Sequence, residues 1–294
     1  MKQTTSSSSL NSLSSMVADA SERRPYRRTL FSCRLAFVLA LCLACWPVAR
    51  WYVARVSDGS DEPWGLAALV AALLFAPREG WNEPLGRGRL WMLCGLLTIY
   101  VVNFHWLPPL GHALLFVTAL AVAVSRRGFP LAWWGLLVLS LPLIATLQFY
   151  LGYPLRLATT ALCVPLLRLG GLYVTADATA LRWAGEMVVV DAPCSGIHML
   201  WTGLFLAAAL ACWQKLDGRG TLRLLRWASG AVFVANVLRA TALFCIEARI
   251  WPSPAWAHEG VGLVLFGAAS GIIYFASQSG APGGRALPSR QTAI

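Results

Sequence analysis

The sequence predicts an all-α polytopic membrane protein of about eight transmembrane helices, with a small outer-face segment of short strands ahead of a cysteine-bearing turn. Three observations predict it. Of 294 residues, 57% are hydrophobic and 13% are charged, about half the charged fraction of a soluble domain, and mean hydropathy is +0.61. Apolar runs recur along the chain, separated by short polar links. The basic residues fall on alternate sides of those runs, which sets an orientation.

Residues 1–28 are Ser-rich and end in Arg23, Arg24, Arg27 and Arg28, which reads as a disordered basic cytoplasmic tail. Residues 30–49 form the first span, and no small-residue cleavage site follows it, so an uncleaved segment is expected. The polar link Arg50–Pro63 comes next. Further spans are expected at 64–76, 90–106, 112–125 and 129–149, with Pro108, Pro109 and Gly111 forcing a tight turn between the third and fourth.

Residues 155–172 mix Arg156 and Arg168 with small residues and leucines, and are expected to lie on the outer side or re-enter. Residues 173–195 form the longest polar stretch between apolar runs, with strands expected at Tyr173-Val174 and Val188–Val190 from their β-branched content. The remaining spans are 197–214, 226–247 and 260–277, and a flexible cytoplasmic tail runs from 279 to 294. Residues 29–278 are thus expected to form one membrane domain, with its outer-face segment at about 150–195.

With the N-terminus inside and eight spans, sixteen of the 24 Lys and Arg residues face the cytoplasm and six face outward, while Arg34 and Arg239 lie in spans. That asymmetry fits the positive-inside rule. It also accounts for much of the net charge of +11 without a nucleic-acid partner, because no basic stretch is interleaved with aromatics. Lipid is the expected surrounding partner.

Eight cysteines stand at 33, 42, 45, 94, 163, 194, 212 and 245. Most lie inside apolar runs, where the thiol behaves as a small hydrophobe. Cys42 and Cys45 form a CxxC within a span and without a second pair, which argues against zinc or redox chemistry. Cys194 differs. It sits in Asp191-Ala-Pro-Cys194-Ser-Gly196-Ile-His198, where a strand-like segment ends and an apolar helix begins. At a helix N-terminus the backbone N–H groups and the macrodipole favour thiolate.

Two later residues match it. Arg239 interrupts the apolar run from Val232 to Ile246, about two turns from the outer end of its span and on the face it shares with Asn236. A charge at that depth is functional by default unless it snorkels or pairs, here with Glu247. His258, beside Glu259, sits in the polar link before the last span. A thiol, a guanidinium and an imidazole at one membrane face suit covalent catalysis with charge stabilisation. His198, four residues after Cys194, is an alternative base, and each of these residues also has a packing or solvated reading. Cys194, His198 and His258 lack the spacing of a zinc site, so neither metal nor cofactor is expected.

Ala192-Pro-Cys194-Ser-Gly196-Ile, Asn236-Val-Leu-Arg239 and His258-Glu-Gly260 resemble, in order and spacing, the three motifs of the exosortase/archaeosortase family. Asp61-Glu-Pro63-Trp-Gly65 is similar to the family's acidic-Pro element, and Tyr153-Pro154-Leu155-Arg156 to the segment before its outer domain. The resemblance covers residues 35–278. It implies an integral-membrane cysteine protease or transpeptidase, with Cys194 as nucleophile, Arg239 stabilising the acyl oxyanion and His258 as acid/base. Ser195, Gly196, His198, Asn236 and Glu259 would support them; at position 198 the family often carries Arg instead. The implied partners are secreted proteins ending in a short Pro motif (Pro-Glu-Pro in bacteria, often alongside exopolysaccharide production), a membrane helix and a basic tail. The implied place is the cytoplasmic membrane, with the active site on its outer face. The rival readings are a transporter or lipid-linked glycan carrier that holds an anion on Arg239, and a non-catalytic scaffold. Neither accounts for a thiol at a helix start.

Overall fold

Ten helices and one small antiparallel sheet make up the described part of the chain, which in this computed structural model comprises residues 37–57, 64–77, 85–125, 128–190, 195–251, 254 and 256–279. The N-terminal tail 1–28, the Asp61–Pro63 element, Cys194 and the tail from 280 lie outside the described residues.

Helices α1 (Phe37–Ala44) and α2 (Trp46–Ser57) meet at a 60° bend. They are followed by α3 (Trp64–Leu74), α4 (Arg87–Val102), α5 (Pro109–Val124), α6 (Leu131–Leu139) and α7 (Ile144–Leu169). After the sheet come α8 (Ile197–Trp213), α9 (Gly218–Glu247) and α10 (Ala257–Gln278). This is a helical membrane protein, but not one with eight full-length spans. Among the described residues only α9 and α10 are long and apolar enough to cross a membrane, or four spans if α1–α2 and α6–α7 each count as one. The physical reason is length. Helices α3, α5 and α8 have 11, 16 and 17 residues, which at about 1.5 Å per residue fall short of about 30 Å of hydrocarbon.

The chain divides into two compact units. One consists of Met1–Trp51 and Pro77–Phe129. Within it α4 and α5 form an antiparallel pair joined by the tight turn expected from Pro108 and Pro109, with Pro109 at the first helical position, where its missing N–H costs nothing. Arg89 near the start of α4 donates to the carbonyl oxygen of Ser125 that ends α5. At the other end Tyr100 and His112 pack edge-on with ring centroids 4.9 Å apart, and Phe104 packs tilted against both.

The second unit consists of Tyr52–Ala76 and Pro130–Ile294. Helices α8, α9 and α10 pack on one another, with α6 on α8, α3 on α6 and α7 on α9. Small residues line the shared core: Ala207 and Ala211 of α8, Ala228 and Ala235 of α9, and Ala269 of α10. Small side chains let apolar helices approach closely where lipid offers no competing hydrophobic drive. A Cβ on Gly203 would stand 2.5 Å from Val232 Cγ2, so the Val232 side chain of α9 packs directly on the α8 backbone there. Gln214 Nε2 donates to Ser277 Oγ at 2.7 Å, tying the far ends of α8 and α10.

Three expected boundaries move. The gap expected between the span ending at 149 and the segment starting at 155 is absent, and α7 runs unbroken for 26 residues through Pro154 and Pro165. The bend, of 95°, falls earlier, between α6 and α7 across Ser140–Leu143. Each proline removes one donor, but a break would strand several backbone groups at once, so continuing the helix costs less. Residues 155–172 are therefore mostly the second half of α7 rather than a separate element. Helix α9 starts eight residues before the expected 226, where the Asp217 carboxylate accepts from Gly220 N at 2.7 Å and caps it. Helix α10 starts at Ala257, so His258 and Glu259 occupy its first turn rather than a link.

Strands β1 (Thr175–Asp177), β2 (Ala180–Trp183) and β3 (Glu186–Val189) pair in sequence order. β1 begins just after the expected Tyr173-Val174, β3 overlaps the expected 188–190, and β2 was not expected. The β2–β3 turn is Ala184-Gly185 with both φ positive, at 50° and 87°, as a two-residue hairpin requires. Leu181, Trp183 and Val188 face a core of Cys163, Leu167, Val237 and Phe244 from α7 and α9. Asp177 and Arg182 pair on the opposite, solvent face.

Candidate functional site

The expected helix start is observed at the expected residue. Gly196 caps α8 with φ 78°, a left-handed conformation open to glycine at little cost. The same glycine is needed for space: a Cβ there would stand 2.6 Å from Asn236 Cγ on α9. Two motif segments about forty residues apart in the chain are therefore in direct contact. Ser195, 2% exposed, donates from Oγ to Gln148 Oε1 at 3.0 Å and accepts from Ile197 N at 3.5 Å. Asn236, equally buried, donates from Nδ2 to Thr159 Oγ1 at 3.3 Å. Helix α7 thus holds both motif segments through Gln148 and Thr159, two residues that the sequence did not single out. Gln148 is the one amide in its apolar run and Thr159 the first of a buried Thr-Thr pair. A polar side chain in an apolar segment needs a partner, and that was the available signal.

One turn further along α9, the Arg239 side chain lies against α10, where a Cβ on Gly262 would stand 3.3 Å from its Nε. Nε is buried and has no hydrogen-bond partner among the described residues. A buried guanidinium donor left without an acceptor is costly and calls for one. His258 stands four residues before Gly262 on α10, so one turn of helix separates the imidazole from the residue that Arg239 touches. No direct contact between Arg239 and His258 is observed.

His198 at the start of α8, with Trp256, Glu259 and Gly260 at the start of α10, lines the polar end of a groove of about 660 Å³. Its apolar floor is Met199, Leu263 and Phe266. On the other side of α8, a cavity of about 250 Å³ opens against Ser195, Gly196 and Asn236 and is otherwise lined by Leu155, Leu200 and Phe233. Of the expected site residues, the structure joins Ser195, Gly196 and Asn236 directly, brings Arg239 to the His258 helix, and gathers His198 with Glu259. Cys194, the expected nucleophile, lies outside the described residues but is bonded to Ser195.

No curated protein and no solved structure matches the chain. A profile described as a transmembrane exosortase (Exosortase_EpsH) matches residues 26–275, which include all three motif segments. The chain therefore belongs to the transmembrane exosortase family.

Proposed function

We propose that this protein is a membrane cysteine transpeptidase or protease that cleaves C-terminal sorting signals of the Pro-Glu-Pro type from secreted proteins, on the outer face of the cytoplasmic membrane. The observation that carries the reading is the buried Arg239 Nε–H, without an acceptor among the described residues and held on the His258 helix, three residues from the Asn236 that packs on Gly196. A preorganised donor without a ground-state partner is what a transient oxyanion needs.

In this reaction the Cys194 thiolate attacks the scissile carbonyl carbon, and the C=O electron pair moves onto oxygen as an oxyanion beside the Arg239 guanidinium. As the tetrahedral intermediate collapses, the C–N bond breaks and the amine departs with a proton from His258. The product is a thioester on Cys194. Water or an amine, deprotonated by His258, then attacks it and frees the thiol. Asn236 and Gln148 hold Gly196 and Ser195, the latter bonded to Cys194, and the substrate's membrane helix remains in lipid throughout.

The test joins chemistry to processing. Cys194 should alkylate with a small thiol reagent well below pH 8, faster than the other cysteines, against an ordinary thiol pKa of about 8.5. Secreted proteins of the host should keep their C-terminal tails in both Cys194→Ala and Cys194→Ser, read by mass spectrometry of the secreted fraction. Unchanged trimming in Cys194→Ala would sink the mechanism.

A further inference from the structure

Strand β3 ends the sheet on one side and then leads into the chain segment that carries Cys194. Its register fixes which backbone groups face outward. Val190 N donates to Thr179 O at 2.9 Å, so residues 190 and 179 form a hydrogen-bonded pair. Bonded and non-bonded pairs alternate in an antiparallel ladder. Leu181–Val188 and Trp183–Glu186 are then bonded pairs, while Ala180–Val189 and Arg182–Met187 are not. The two-residue turn at Ala184-Gly185 requires the same assignment, because the residues flanking such a turn form a bonded pair. Met187 and Val189 therefore turn their N–H and C=O groups away from β2. No described residue pairs with that edge.

Among the described residues no element covers that edge. Edge strands are normally blunted by shortness, charge, proline, a bulge or a covering element. β3 is four residues long and its one charge is Glu186 at the turn end, which leaves Met187 to Val189 uncharged and free of proline. Its register with β2 is unbroken, and of its side chains Val188 packs on the core formed by α7 and α9. The Met187 and Val189 side chains are 56% and 46% exposed. Four residue steps lead from Val190 to Cys194, a chain reach of at most about 14 Å.

We propose that the outer edge of β3 is the docking strand for the extended peptide segment of the substrate, which adds to the sheet beside Met187 and Val189 and is thereby delivered to Cys194. This rests on the cysteine-transpeptidase reading above. Only an extended chain matches alternating outward donors and acceptors; a helix satisfies its own. In such strand addition the ladder supplies affinity, and pockets for alternate side chains supply choice.

The experiment uses the full-length protein in its host membrane. Substrates are defined as the secreted proteins whose C-terminal trimming is lost in Cys194→Ala. Val189→Pro removes one outward N–H, a position where an edge strand tolerates proline because that donor is not in the ladder. It should slow trimming about tenfold or more while Cys194 keeps its alkylation rate. Arg182→Gln, on the solvent face of the sheet, should stay within about twofold. A photoreactive residue at Met187 should crosslink to those same substrates within a few residues of the cut. Trimming at the normal rate in Val189→Pro, with Cys194→Ala still inactive, overturns the docking strand and leaves the transpeptidase reading standing. If Val189→Pro slows the alkylation of Cys194 as well, the crosslink decides: links only to lipid, or to a second copy of this chain, overturn the proposal. Normal trimming in Cys194→Ala overturns both readings.

Discussion

Gly262 makes room for Arg239: a Cβ added to Gly262 would stand 3.3 Å from the buried Nε and 3.8 Å from Cδ. Alanine should therefore displace the guanidinium by a few tenths of an ångström while improving the helix by up to about 1 kcal/mol. Stability and activity are expected to move in opposite directions in Gly262→Ala. Thermal unfolding in detergent should show no loss, and substrate trimming should fall about tenfold if Arg239 holds the oxyanion as proposed, because small misplacement of such a group is expensive. Equal losses in both would mark Gly262 as a packing residue only.

The charge on Arg239 is separable from its geometry. Lys keeps the charge but brings a compact ammonium on a flexible stem in place of the planar fork. Arg239→Lys is expected to fold and to lose roughly 3 kcal/mol of transition-state stabilisation, the scale of one oxyanion donor. Trimming rates compared with protein abundance in the membrane measure it. A near-wild-type rate would leave Arg239 a purely electrostatic or structural role.

Gly196 and Asn236 should couple. Ala at 196 meets two obstacles, a φ of 78°, costing about 1–2 kcal/mol, and a clash with Asn236 Cγ at 2.6 Å. Asn236→Ala removes the clash but not the backbone strain. The double variant is expected to recover part of what Gly196→Ala loses, with a coupling energy of about 1–3 kcal/mol in a thermal-unfolding cycle. Simple additivity would mean that the two segments do not press on one another.

Much of this site is local in origin and so was legible in the chain. Gly196 before an apolar run marks the start of α8, and Pro108-Pro109 marks the α4–α5 turn, because each acts through its own backbone. The α7 helix was not legible. Arg156 and Arg168 among small residues read locally as a separate outer segment, whereas surroundings poor in water penalise broken backbone more than the two donors missing at Pro154 and Pro165. The partners of Ser195 and Asn236 were hidden for a different reason. Gln148 and Thr159 lie 47 and 77 residues away from them, and no sequence period encodes a contact of that range.

Sidedness is the prediction on which the location of the chemistry depends. Helix α8 joins the Ser195–Gly196 turn to the basic stretch Lys215, Arg219, Arg223 and Arg226, so a crossing α8 would put its two ends on opposite faces. Its 17 residues extend roughly 26 Å, a few ångströms short of the hydrocarbon core. The shortfall is expected to draw the bilayer in around the site rather than to prevent crossing, at a fraction of a kcal/mol per ångström. Basic residues favour the cytoplasmic side, so 215–226 are expected inside and the sheet outside. Reporter fusions after residues 127 and 220 should therefore both report cytoplasm, and one after residue 185, next to the β2–β3 turn, should report the outer side. A cytoplasmic signal at 185 would put the Cys194 segment in the compartment that secreted proteins have already left, and the sorting function would then have no substrate.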